Sequence, residues 1–225
     1  MSEKKESPKA NTESFSDIRI VGAMKNVMWK GELGGSITLD TISNKVGLYG
    51  LGPVSYLKGE LLINNGEIYV STVTSDSTMS VEKRDNLSAP FFGYANVNEW
   101  NEIALPPSVK SIQDLESFIT DLTTGVKRPF AFKLTGYITK AVIHIQNLPE
   151  GTSVSSPNEA HQGQVNFELK AESAEIVGFY STEHKGVFTH HDSFLHMHLI
   201  TADKRKMGHL DEVVFESMKL YLPKK

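Results

Sequence analysis

The sequence predicts an α+β fold in which two related mixed β-sheet subdomains, roughly residues 15–125 and 126–225, pack together with flanking helices. Three observations carry that expectation. Short runs rich in Val, Ile, Phe, Tyr and Thr recur on both sides of residues 111–123. Asn64-Asn65-Gly66 joins two of these runs as a hairpin signal, because Asn and Gly tolerate positive φ. The clearest helical period in the chain lies between the two β-rich halves.

Taken in order, the first fourteen residues, MSEKKESPKANTES, are polar and charged and are read as a disordered leader. It has no apolar h-region, so it is not a signal peptide as it stands. Residues 47–52, GLYGLG, lack GxGxxG or Walker spacing and are read as a turn that lets backbones approach closely. Strands are expected over 56–63 and 67–74. A helix is expected over 111–123, where Ile112, Leu115, Phe118, Ile119 and Leu122 form one apolar face and Ser111 with Asp114 forms the cap. That stripe is core packing. Further strands are expected over 129–134, 137–146, 165–171, 175–181, 194–201 and 213–222, with loops at Pro149, Gly151 and Ser155-Ser156-Pro157.

Composition removes several function classes. A net charge of -4 with no basic stripe argues against nucleic-acid binding. No apolar run is long enough to span a bilayer. The absence of cysteine excludes disulfides, thiolate nucleophiles and Cys-ligated zinc, without fixing the redox compartment. The chain is read as cytoplasmic, with an exported lipoprotein whose signal has been trimmed as the alternative. The expected partner is a small-molecule substrate, and a homodimer is left open.

All eight histidines fall between His144 and His209. On a strand, His196 and His198 project to the same face. HxH alone also occurs in ordinary strands. A third imidazole, His209, follows a turn-like segment and can fold back to meet them. Three neutral imidazoles with an open position make a catalytic zinc site, and imidazole equally suits other divalent transition metals. His184, His190 and His191 lie in a loop-like stretch and are read as supporting or surface groups. The spacing does not place His161. A cupin reading is disfavoured because Asp203 stands where that pattern has Glu.

The chain resembles the alpha-acetolactate decarboxylase family across roughly residues 20–223. GLYGLGPVSYLKGE (47–60) is similar to the family's G-x-G-T…L-x-G-E stretch. Asn65-Gly66-Glu67-Ile68-Tyr69 resembles its D-G-x-F/Y-Y turn, Ala89-Pro90-Phe91 its T-P-F, and Phe132–Tyr137 its strand leading into a Gly-aromatic pair. The most specific match is His196-Met197-His198 followed by Met207-Gly208-His209-Leu210-Asp211, which resembles H-x-H-F…G-G-H-x-L-D with the same spacing. The resemblance implies that His196, His198 and His209 bind zinc and that Glu60 approaches the substrate. It also implies decarboxylation of 2-acetolactate to acetoin.

The departures are specific. Pro53 stands where the family has Thr. His144 stands where the family has an Arg that meets the substrate carboxylate, so His144 is expected to take that role. The family's C-terminal glutamate has no counterpart in a sequence that reads to Lys225. These departures keep a second reading open: a zinc-binding relative that binds a small hydroxy-keto acid or catalyses a different metal-assisted proton transfer.

Overall fold

Asn65 and Gly66 adopt φ of 50° and 86°, the left-handed pair that a two-residue hairpin turn needs. They set β4 (Glu60–Asn64) against β5 (Glu67–Ser75), with Ile63 opposite Ile68 and Glu60 opposite Ser71. The computed structural model describes residues 18–189 and 193–224. The expected leader, His190 and His191 lie outside the described residues.

The order along the chain begins with β1 (Arg19–Val21), α1 (Met24–Lys30), β2 (Ile37–Thr38) and β3 (Leu48–Pro53). After β4 and β5 come β6 (Thr78–Lys83), β7 (Ser88–Ala89), β8 (Phe92–Asn96), β9 (Trp100–Ala104) and α2 (Ile112–Leu122). The second half holds β10 (Phe130–Ile145), α3 (Pro157–Ala160), β11 (Val165–Tyr180), β12 (Leu195–Thr201) and β13 (Met207–Pro223). One sheet has the order β1-β8-β3-β4-β5-β6, a second runs β10-β11-β12-β13-β9, and β2 pairs with β7 in a two-stranded third. Because β10 also pairs with β13, the pairings β10–β11–β12–β13–β10 close into a ring. The chain is thus mostly β-sheet with few helices.

The sheets are not mixed as expected. Every pairing between the described strands is antiparallel. No helix acts as a crossover between neighbouring parallel strands, which a parallel pair would need. One strand also crosses the 125/126 boundary: β9 precedes the helix yet pairs with β13, Trp100 opposite Pro223.

Three segments differ from their sequence reading. Gly47 is in a turn as read, but residues 48–52 are not; β3 is a fully buried strand between β8 and β4. The glycines do serve close approach, since a methyl on Gly50 would lie 2.6 Å from the Phe92 ring. Residues 56–59 are not strand. Tyr56 and Leu57 take φ of 60° and 52° in a short 3-10 turn, with the Tyr56 N–H donating to the Leu33 carbonyl (2.7 Å) and the Leu148 N–H to the Leu57 carbonyl (2.9 Å). The pairs of strands expected over 129–146 and 165–181 are each one 16-residue strand.

The helix is as read. Ser111 Oγ accepts from the Asp114 N–H (3.2 Å), and the Asp114 carboxylate accepts from the Ser111 N–H (2.9 Å). This reciprocal pair satisfies two helix-end donors. Leu115 and Ile119 are buried against Phe130, Leu134 and Leu220 in the core enclosed by the second sheet. A separate core lies between the sheets, built from residues such as Tyr49, Leu51, Leu62, Phe91, Val177, Phe179 and Phe188. Among the described residues, no helix is long and apolar enough to cross a membrane.

Candidate metal centre

Strand β12 is buried on both faces, and its alternation sorts the side chains. Leu195, Met197 and Leu199 enter the core on the α2 side. His196 and His198 therefore turn the other way, with Ile200, towards the core between the sheets. On β13, His209 lies directly opposite His198, and on its other side His209 lies opposite His144 of β10. Cross-strand partners project to the same face, so His198, His209 and His144 form a row across three strands, with His196 beside it.

The rings are close. Centroids are 5.4 Å apart for His196–His198, 5.0 Å for His196–His209, 5.4 Å for His198–His209 and 4.6 Å for His144–His209. All four rings are buried. Among the described residues, His196, His198 and His209 can each offer a ligand atom within 4.8 Å of the others. A donor set of three buried imidazoles from paired strands fits a zinc-like ion. His144, His209 and Asp211 form an overlapping group with the same reach.

Glu60 arrives from the other sheet at the start of β4. It is buried, with Oε2 3.6 Å from His198 Nε2 and Oε1 4.0 Å from His144 Nε2. The Gln146 N–H donates to Glu60 Oε1 (3.3 Å). Burial pushes the Glu60 carboxyl well above its ordinary value; the Gln146 hydrogen bond opposes this and the Asp211 charge adds to it.

His144 has a defined orientation. Its Nδ1 lies 2.9 and 2.8 Å from the two Asp211 oxygens, and its Nε2 lies 3.4 Å from Gln146 Nε2. An ionised carboxylate only accepts, so Nδ1 carries the proton and donates to Asp211. Asp211 reaches His144 through a bulge: the register pairs Ile143 with Leu210 and Val142 with Glu212, leaving Asp211 between them without a partner on β10. Such an extra residue re-aims side chains near sites.

Five of these residues, and neither His198 nor Asp211, line a cavity of about 460 Å³. Glu60, His144, Gln146, His196 and His209 form its polar end, and Met24, Met28, Leu57, Phe91 and Pro157 form apolar walls. His161, which its spacing left unplaced, also lines it, at the C-terminal end of α3. His184 does not. Its Nδ1 hydrogen-bonds Ser181 Oγ (2.7 Å), and its carbonyl accepts from the Val187, Phe188 and Thr189 N–H groups. This turn presents Phe188 to His196, with ring centroids 4.8 Å apart.

The family model for alpha-acetolactate decarboxylase matches residues 20–224. The chain belongs to the alpha-acetolactate decarboxylase family. It is 24% identical over 223 residues to an alpha-acetolactate decarboxylase of Brevibacillus brevis, covering 95% of this chain and 75% of that one. Its fold is similar to that of the alpha-acetolactate decarboxylase from Bacillus subtilis strain 168, with a TM-score of 0.73, 22% identity, and coverage of 95% and 86% of the two chains. A Staphylococcus aureus protein of unknown function, described as similar to alpha-acetolactate decarboxylase, has a TM-score of 0.75 at 15% identity, with coverage of 91% and 84%.

For this member of the alpha-acetolactate decarboxylase family, the fold brings together the five residues singled out in the sequence. Gln146, Asp211, Phe188 and the α1 wall were not singled out. Asp211 stood in the quoted motif, but its bulge leaves no mark in composition or period. Gln146 differs: it lies two residues after His144 on the run read as one strand, so its shared face was readable.

Proposed function

We propose that the chain is a metal-dependent carboxy-lyase that decarboxylates 2-acetolactate, or a close 2-hydroxy-3-oxo acid, to the corresponding hydroxy ketone; with acetolactate the product is acetoin. The observation that carries this reading is the meeting of the His196, His198 and His209 rings with the buried Glu60 carboxyl, beside a cavity that Glu60, His196 and His209 line. His196, His198 and His209 would hold zinc or another divalent transition metal. Such an ion supplies electrostatic stabilisation for the negative charge that develops on the substrate's carbonyl oxygen as CO2 leaves.

The remaining roles belong to side chains. Glu60 returns a proton to the carbon that has lost CO2. Its burial favours the protonated carboxyl that such a donor requires, and the Gln146 N–H fixes its Oε1. His144, held through Nδ1 by Asp211, turns Nε2 towards the same groups and acts on the substrate beside Glu60. Met24, Met28, Leu57 and Phe91 restrict water around the reacting carbon. The test is acetoin formation from racemic acetolactate by metal-loaded protein. A folded, metal-loaded protein inert towards a panel of such acids would overturn the proposal.

One observation favours the second reading. No arginine is among the described residues lining the cavity, so the group that the family uses for the substrate carboxylate has no like-for-like replacement. A relative that binds a hydroxy-keto acid, or moves a proton on it without releasing CO2, would give binding without acetoin.

A further inference from the structure

A 2-hydroxy-3-oxo acid carries a full negative charge on its carboxylate until the carbon–carbon bond breaks. No lysine or arginine is among the described residues at the polar end of the cavity. Glu60 stands at that end, and Asp211 stands directly behind His144. Two carboxyl groups thus flank the His144 imidazole. His144 Nδ1 already donates to Asp211, so that donor is not open to a substrate carboxylate.

The α1 wall differs. Helix α1 is fixed over the cavity: Val27 is buried, the Met24 N–H donates to the Val187 carbonyl (2.8 Å), and Gly31 closes the helix in a left-handed conformation. This sets three α1 side chains besides Trp29 on the cavity wall, Met24, Lys25 and Met28. Among the described lining residues, Lys25 is the side chain with a permanent positive charge. Its ammonium makes no described ion pair or hydrogen bond.

We infer that Lys25 binds the substrate carboxylate, which points towards the α1 wall, while the hydroxyl and carbonyl end meets the histidines. This rests on the proposed reading of the site and fixes the orientation of the substrate within it. CO2 then departs on the α1 side. Because the ammonium pairs with a charge that is lost as CO2 forms, it favours the bound substrate more than the transition state, and its removal acts on KM before kcat.

The experiment compares zinc-loaded wild type with Lys25→Met and Lys25→Arg, using acetolactate for kinetics and the unreactive carboxylate 2-hydroxyisobutyrate for calorimetry. An exposed ion pair is worth about five- to tenfold in affinity at low salt. The expected result is a KM raised by about that factor in Lys25→Met with kcat within about twofold, recovery in Lys25→Arg, and a matching loss of 2-hydroxyisobutyrate affinity. Wild-type KM and wild-type carboxylate affinity in Lys25→Met overturn the inference. If the wild type releases no acetoin, the proposed reaction falls on its own and the calorimetry still decides. Lys25-dependent binding upholds the inference, while binding indifferent to Lys25, or no binding by wild type, overturns it.

Discussion

His144 and His209 are cross-strand partners on β10 and β13, with ring centroids 4.6 Å apart. The His144 imidazole is therefore beside a proposed metal ligand, and its other flank is fixed by Asp211 at 2.8 Å. A substitution at 144 is expected to act on the proposed ligand row as well as on the proposed substrate site.

Metal content follows from the donor set. Protein purified without added metal is expected to hold about one zinc-like ion per chain, read by elemental analysis. His198→Ala removes most of it and leaves the far-ultraviolet circular dichroism unchanged, because the apolar core enclosed by the second sheet does not include His198. Chelation lowers the melting temperature of wild type and not of His198→Ala, since a ligand that binds only the folded state stabilises it. A wild type without transition metal and indifferent to chelation would count against the triad.

Glu60→Gln keeps the size and the hydrogen bond from Gln146 but removes the titrating group. The expected loss in kcat is about 10²–10⁴, with metal content unchanged. Activity within a few-fold of wild type would remove Glu60 from the chemistry.

Gly93→Ala tests the support of His196 from a distance. A methyl at Gly93 would lie 2.1 Å from the Phe188 ring, and Phe188 packs edge-on against His196. Overpacking of this kind costs about 1–3 kcal/mol. The variant is expected to melt earlier and to bind zinc more weakly than its stability loss alone explains. Unchanged zinc affinity would show that Phe188 does not hold His196 in place.

The Glu175 carboxyl gives an acid-side prediction. Burial raises it, but hydrogen bonds from Lys204 and Asn64 outweigh that and hold it below its ordinary value. A depressed folded value means that the protein gains stability above the unfolded value. That gain is lost as pH falls through the folded one. Melting temperature should therefore drop below the ordinary carboxylate range, and Glu175→Gln should show a shallower drop. Equal slopes for the two proteins would refute the assignment.

The sequence made the site more legible than the fold around it. HxH alternation is a strict consequence of strand geometry, so His196 and His198 could be placed on one face without knowing what lay opposite. α2 was readable because a capping box and a helical stripe coincide. α1 was not: Ala23 gives it no side-chain cap, and Val27 is its one buried residue. Thr135-Gly136 and Ala171-Glu172 look like breaks between strands, yet Gly136 has partners on both sides in Ala174 and Met218, and the ladder carries β10 through. Asp211 and Lys25 needed a bulge and a helix placement, which are tertiary facts.

The pairing of β9 with β13 bears on how the chain is made. On the ribosome β9 emerges before α2 and β10 to β12, and its partner β13 only after them. Until then β9 offers an open backbone edge, available to any other extended segment nearby. Its own sequence, WNEIA, places Asn101 and Glu102 there as exposed polar groups, and charge at an open edge discourages pairing with strangers. Replacing Glu102 by a β-branched apolar residue should thus lower soluble yield during expression far more than it lowers the stability of protein already folded.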